Sequence, residues 1–460
     1  ACSFITSIAS MLINDYNFHY PILFIISCFC YDNYMMINEI ISKIRKNDKK
    51  QLLENFLSLG IIQVVSYMIP LVSLPYLSRV LGVENFGRVF FAYAFVQYFI
   101  ILTDFGFGLS AVKDIAQHSD DKEKRDEIFN AVNCAKILLL IISFIILVFI
   151  VVIVPKFRQD YLIYFFTFFM VIGNALFPSW FFQGMQHMKY ITFVNISAKI
   201  IFLVLLFVFI KSSNQYVFVP LINSMGFLVS AILGIFIAKK RFNVNLYIPS
   251  RSVIFEQIKN SFEFFLSRVS ASIFTNTNAF FLGTISAPLF VGYYVAAEKI
   301  YVAIDSLFSQ VNNVLYPYMT KNKNIRFFIS VLFFSSVVIL FISLFFVFFS
   351  ENIISIFYGE KMLFASKILK IFAIVLLLKI PATMIGYPLL AAYGKTKETN
   401  YSVVISSVVH IIGLFMLFFI SKISVVTIAF MVGFSVLTML LVRVFFIIKY
   451  NSQIFNLKEK

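Results

Sequence analysis

Ionisable and hydrogen-bonding side chains recur at helical spacing inside segments that are otherwise apolar enough to cross a bilayer. Arg268, Ser272, Thr275 and Asn276 fall at i, i+4, i+7 and i+8, so they share one helix face. Tyr294, Glu298, Tyr301, Asp305 and Asn312 do the same in the next apolar run, as do Gln63, Tyr67, Pro70 and Ser73 in the first and Tyr93, Gln97 and Asp104 in the second. A charge at the bilayer centre costs roughly 2.5–3.5 kcal/mol on insertion scales. Several on one stripe are tolerated only where the stripe faces water or partner groups inside the protein. Such stripes can hold a polar solute within the membrane, and that points to transport.

Catalytic chemistry has no comparable signature. The sequence has no Gly-rich phosphate loop, no grouped metal ligands and no Ser/His/Asp arrangement, so neither a metal nor a cofactor is expected. Cys2, Cys28, Cys30 and Cys134 form no disulfide or zinc framework, and the four histidines, His187 and His410 among them, read as incidental. No ATP-binding domain is present, so any pumping must be secondary.

The elements that would position the stripes follow from composition. Of 460 residues, 60% are hydrophobic and only 13% charged, with a mean hydropathy of +0.91; a soluble domain is about 25% charged. Apolar runs of roughly 20 residues, the length that spans a hydrocarbon core, recur along nearly the whole chain. A β-barrel would instead show segments of about ten alternating residues. The pattern predicts an all-α polytopic membrane protein of twelve spans, near 54–78, 86–110, 131–154, 161–183, 191–211, 216–238, 260–284, 289–316, 327–350, 363–392, 401–420 and 424–448.

With the N-terminus inside, the inner regions hold 23 Lys and Arg and the outer ones seven. This bias predicts cytoplasmic termini and accounts for most of the net charge of +16. No nucleic-acid module accompanies that charge. The longest basic connection, 239–259, divides the spans into an N-lobe at 51–238 and a C-lobe at 260–448, with a cytoplasmic tail at 449–460. Leu81-Gly82 before Gly87 and Ala94 is loosely echoed by Leu282-Gly283 before Gly292 and Ala296. Two lobes of six helices would relate by an axis along the membrane normal. Residues 1–34 read as an upstream extension or artefact preceding a start at Met35 or Met36, and 35–50 as a basic amphipathic cytoplasmic segment. Pro70, Pro75, Pro178, Pro317, Pro381 and Pro388 interrupt spans and should kink them.

Four segments carry a family resemblance. Asp104-Phe105-Gly106-Phe107-Gly108-Leu109-Ser110-Ala111-Val112-Lys113-Asp114-Ile115-Ala116 closes the second span, and Pro178-Ser179-Trp180-Phe181-Phe182-Gln183-Gly184, followed by Met188-Lys189-Tyr190-Ile191-Thr192, surrounds the only tryptophan. With Ala296-Ala297-Glu298-Lys299-Ile300 and the turn Leu389-Leu390-Ala391-Ala392-Tyr393-Gly394-Lys395-Thr396-Lys397, the chain from about 51 to 450 resembles O-antigen flippases of the Wzx type, within the multidrug/oligosaccharidyl-lipid/polysaccharide exporter (MOP) superfamily that includes MATE transporters. The resemblance implies a two-lobed inner-membrane protein that moves an undecaprenyl-pyrophosphate-linked repeat unit from the cytoplasmic to the periplasmic leaflet by ion-coupled alternating access. A polysaccharide polymerase and a chain-length regulator would be its partners.

The helical stripes, and not the motifs, supply the candidate site. Arg268, Lys199 and Lys379 are the cations for a pyrophosphate. Gln63, Tyr67, Tyr93, Asn276, Tyr294 and Tyr301 suit sugar hydroxyls and ring faces, and Asp104, Glu298 or Asp305 would carry a coupling proton or sodium ion. Asp104 could equally serve only to stabilise the inner end of its helix. A drug/cation antiporter of the MATE kind would want an acidic chamber, against the deep Arg and Lys residues. An O-antigen polymerase would need a large outer loop that the sequence lacks.

Overall fold

The computed structural model describes residues 46–420 and 422–455, with the side chains at 46–61, 64, 67, 267–268, 270–276, 452 and 455 set aside. The segments expected at 1–34 and, up to Lys46, at 35–50 lie outside the described residues. Among those described, every regular element is helical. The helices are α1 (Lys46–Asp104), α2 (Phe107–Gln117), α3 (Lys122–Ile153), a short α4 (Pro155–Gln159), α5 (Tyr161–Leu176), α6 (Ser179–Gly184), α7 (Met188–Phe209) and α8 (Phe218–Arg241). There follow α9 (Arg251–Ile285), α10 (Pro288–Asn322), α11 (Ile325–Tyr358), α12 (Ala365–Met384), α13 (Thr396–Phe419), α14 (Val425–Lys449) and α15 (Asn451–Phe455).

Nine helices among the described residues are long and apolar enough to cross a membrane. One of them holds two spans, because Gly82 breaks α1 at φ 72°, ψ 171°, a backbone state open to glycine without a Cβ penalty. The 35-residue helices α9 and α10 fall short of that apolar standard because they carry the polar stripes. Counting the two arms of α1 separately and adding α9 and α10 is consistent with the twelve expected spans. The protein is an all-α polytopic membrane protein.

The first six spans pack mainly among themselves, as do the last six, and the two sets meet where α9, α10 and α11 lie against α1, α2 and α3. Lipid supplies no hydrophobic force between helices, so close backbone approach and hydrogen bonds must hold the seam. At the end assigned outside by the charge bias, a Cβ on Gly87 would overlap the Pro288 carbonyl, and one on Gly292 would overlap the Val83 carbonyl and lie 3.4 Å from the Gly87 nitrogen. The glycines of the sequence echo thus meet one another across the seam. Gly283 similarly leaves room for the Phe91 ring. Phe280 of α9 stacks on Phe91 and Phe95 with centroids 6.0 and 5.8 Å apart.

Polar ties reinforce this end. Lys156 Nζ donates to the Thr284 and Ser286 carbonyls at 3.1 and 2.9 Å, covering backbone oxygens that the end of α9 leaves open. Ser78 Oγ donates to the Tyr358 carbonyl at 3.0 Å, and Arg79 to that of Ile356. At the opposite end, Asp126 and Asn130 of α3 bind the 242–250 connection through the Asn245 and Tyr247 amides and the Asn245 carbonyl.

The prolines act unequally. Pro178 separates α5 from α6. Pro388 lies in a widened turn, Ile385–Leu390, that follows α12, and the buried Arg443 of α14 fits against it. Its Nη1 donates to the Ala382 carbonyl at 2.5 Å and its Nε to Ser402 Oγ at 2.8 Å. A Cβ on Gly386 would come within 2.5 Å of the guanidinium.

The seam makes a direct prediction. Gly87→Leu should destabilise this packed end of the seam by about 1–3 kcal/mol, the usual cost of overpacking. A cysteine pair placed across the seam beside Gly87 and Gly292 should then cross-link more slowly than in the parent. An unchanged cross-linking rate would mean that the glycine approach does not control closure.

Candidate functional site

The stripe on α10 is the centre of the best-formed polar cluster among the described residues. Tyr294 and Tyr301 are buried, and Phe372 of α12 fits beside both, edge-on to Tyr294 at 5.7 Å and stacked on Tyr301 at 4.9 Å. The Tyr294 hydroxyl lies in the neighbourhood of the Glu298 carboxylate and of Asn278 of α9. Asn278 Oδ1 accepts from His410 Nε2 of α13 at 2.8 Å, and His410 Nδ1 lies 2.8 Å from Ser435 Oγ of α14. Ser435 Oγ also lies 2.7 Å from the Met431 carbonyl, so its single proton is shared between the two acceptors. A hydrogen-bonded chain therefore runs Asn278–His410–Ser435 and joins three helices, with Tyr294 and Glu298 of α10 beside it. In hydrocarbon each of these groups would be costly alone.

Two turns further along α10, Asp305 lies within the field of Lys379 of α12. Lys299, beside Glu298, places its ammonium 5.7 Å from the Phe90 ring of α1 across the seam, a cation–π contact. The structure thus joins two expected coupling acids, Glu298 and Asp305, to two of the expected sugar-facing tyrosines and one expected cation. It also shows Tyr294 and Tyr301 turned into protein packing in this conformation.

The remaining candidates lie apart from this cluster. Lys199 of α7 reaches the first arm of α1, donating to Ser66 Oγ at 2.5 Å, one turn from Gln63. Tyr93 accepts from the Asn223 amide of α8 at 3.2 Å. Asp104 lies 3.9 Å from Lys136 of α3, whose side chain is only 3% exposed, which fits the stabilising alternative for this carboxylate. The side chains of Tyr67, Arg268 and Asn276 lie outside the described residues.

Asn278, His410, Ser435 and Lys136 were missed as members of these networks. The signal for His410 was present in the sequence: Thr399, Ser402, Ser406, Ser407 and His410 all lie on the buried face of α13, and their spacing is the same kind of stripe. If the chain through His410 is a single unit, His410→Ala and Asn278→Ala should be non-additive. The expected coupling is about 0.6–1.7 kcal/mol, the range measured for hydrogen bonds between membrane helices. Unfolding titrations of the two single variants and the double variant in detergent measure it, and strict additivity would separate the two residues.

Residues 52–323 match the family described as polysaccharide biosynthesis protein. A protein of Escherichia coli (strain K12) named "Putative O-antigen transporter" is 31% identical over 270 residues, 59% of this chain and 65% of that one. A protein of the same name from Shigella dysenteriae is 26% identical over 58% of this chain and 67% of its own length. The chain thus matches just under two thirds of the length of the first of these relatives. Among solved structures, the lipid II flippase MurJ in an inward closed conformation superposes with a TM-score of 0.69 at 17% identity, over 84% of this chain and 87% of that one. An inward-facing multidrug resistance MATE family transporter of the MOP superfamily gives 0.63 at 15% identity, over 88% of this chain and all of the other. These likenesses establish a MATE- and MurJ-like fold. The match over more than half of its length places the chain in the polysaccharide biosynthesis protein family.

Proposed function

We propose that this protein is a flippase for undecaprenyl-pyrophosphate-linked repeat units of O-antigen or a related polysaccharide, carrying them from the cytoplasmic to the outer leaflet of the bacterial inner membrane. The observation that carries the reading is the joining of polysaccharide-family membership to a MOP-type fold whose two sets of helices meet along a closely packed seam. A pyrophosphate cannot cross hydrocarbon unaided, because its charge would lose hydration without compensation. A carrier must offer cations within a hydrated chamber while the polyprenyl chain stays in lipid.

In this reading Arg268, Lys199 and Lys379 hold the pyrophosphate. Gln63, Tyr67, Tyr93 and Asn276 meet the sugars, and Tyr294 and Tyr301 do so only when the α10–α12 packing opens. Glu298 and Asp305 are the coupling acids, since each lies beside a cation, Lys299 and Lys379 respectively, whose field a proton or sodium ion would alter. Asp104, paired with Lys136, is the weaker candidate. The lobes at 51–238 and 260–448 rock about the seam, with both termini in the cytoplasm. The work is transport, not catalysis, and a polymerase and a chain-length regulator act on the delivered units.

A strain lacking this gene, and any redundant flippase, should accumulate lipid-linked repeat units on the cytoplasmic side. If its repeat units still reach the outer side and are polymerised, the assignment fails. In the same strain Arg268→Ala should abolish surface polysaccharide while inserting into the membrane at parental levels. Normal polysaccharide from that variant would remove Arg268 from the site.

A further inference from the structure

Two long helices of the second set end against cations supplied by the first. α9, of 35 residues, and α11, of 34, carry no basic residue in their last turns. Neither therefore balances the negative end of its own dipole or covers its last open carbonyls. Both ends are answered from across the seam. Lys156 Nζ bonds the Thr284 and Ser286 carbonyls at 3.1 and 2.9 Å, and the Arg79 guanidinium bonds that of Ile356. Ser78 Oγ lies 3.0 Å from the Tyr358 carbonyl. In each of these contacts the donor is a side chain of α1 or α4, and the acceptor is main chain at a helix C-terminus.

The short α4 is built to aim its lysine. Phe157, next to Lys156, is buried with its ring 5.6 and 4.6 Å from those of Phe91 and Phe95 of α1. Phe280 of α9 stacks on the same two rings from the other set. α4 is thus wedged at the seam, with Lys156 at the end of α9. Burial pushes the Lys156 ammonium below its ordinary pKa, so it gives up hydration here and recovers it in part from the two carbonyls. When the seam parts, water serves both partners. The net worth of such a bond to a charged group is then only about tenfold to a hundredfold in the ratio of closed to open. That is enough to bias the ratio and too little to prevent opening.

We propose that Lys156 and Arg79 form a two-point latch, in which cations of the first set cap helix C-termini of the second and hold this end of the seam shut until the sets part. Because the acceptors are backbone groups, the strength of the latch is set by the donors. The approach of Gly87 and Gly292 decides how the two surfaces fit, and the latch decides what share of the time they meet.

The test follows opening in the full-length protein in detergent, with its four native cysteines replaced by serine and Val83→Cys introduced. Val83 is buried and lies beside Gly292. An aqueous thiol reagent reaches it when the seam parts, so the labelling rate tracks the open fraction. K156M/R79M should raise that rate at least about tenfold. K156R/R79K, which keeps both charges, should label near the parental rate. A second reporter, Val436→Cys, is buried in α14 within the second set and should label slowly in all three proteins. An unchanged rate at Val83→Cys in K156M/R79M overturns the proposal, as does an equal rise in K156R/R79K. An equal rise at Val436→Cys also overturns it, because the change is then general loosening. None of these readings depends on what the protein carries.

Discussion

The contact on which the rest of this structure depends is the approach of two helix backbones at Gly87 and Gly292. With no side chain at either position, the second arm of α1 and the first turns of α10 come together until carbonyl oxygens and amides of the two spans are neighbours. In a bilayer that intimacy is the main source of cohesion, because exchanging a helix–lipid contact for a helix–helix contact gains only what better packing provides. Once the contact is made, Lys156, Ser78 and Arg79 find backbone carbonyls of the opposite set within reach. The stacked phenylalanines then fill the space below. Polar ties of this kind follow from the seam and could not create it.

Much of the fold was legible because helix number and polarity obey simple accounting. Apolar length, basic connections and stripes at 3.6-residue spacing are local properties; on α10 the stripe residues Tyr294 and Tyr301 are buried together, whereas the α9 stripe at 268–276 lies outside the described side chains. The seam was half legible. The echo of Leu-Gly and a later Gly was visible, but which glycine would touch which is a property of two helices at once. Gly82 and Gly283 occupy matching places in the echo, yet one bends the chain and the other accommodates a phenylalanine ring.

The site was less legible for the same reason. A stripe gives the residues on one face and says nothing of what the neighbouring helix offers them. Asp104 was open to two readings, a coupling acid or a stabiliser of its helix end, and only the structure brings Lys136 of α3 beside it. His410 looked incidental because a single histidine in an apolar run has no local partner, whereas Asn278 and Ser435 approach it from helices remote in sequence. The tryptophan motif shows the reverse case. It is distinctive in sequence, yet its rings are buried framework.

Arg443 carries a consequence for mechanics. Its buried guanidinium is lodged where the chain widens after α12, bonded to one backbone oxygen and one serine hydroxyl. Straightening α12 would strand a buried permanent cation. The crook in that helix is therefore a frozen joint, braced by α14, and the last three long helices must travel as one stiff body. Whatever flexes during a working stroke has to be sought at the ends of that body, in the strap between α8 and α9 and at the elbow of Gly82.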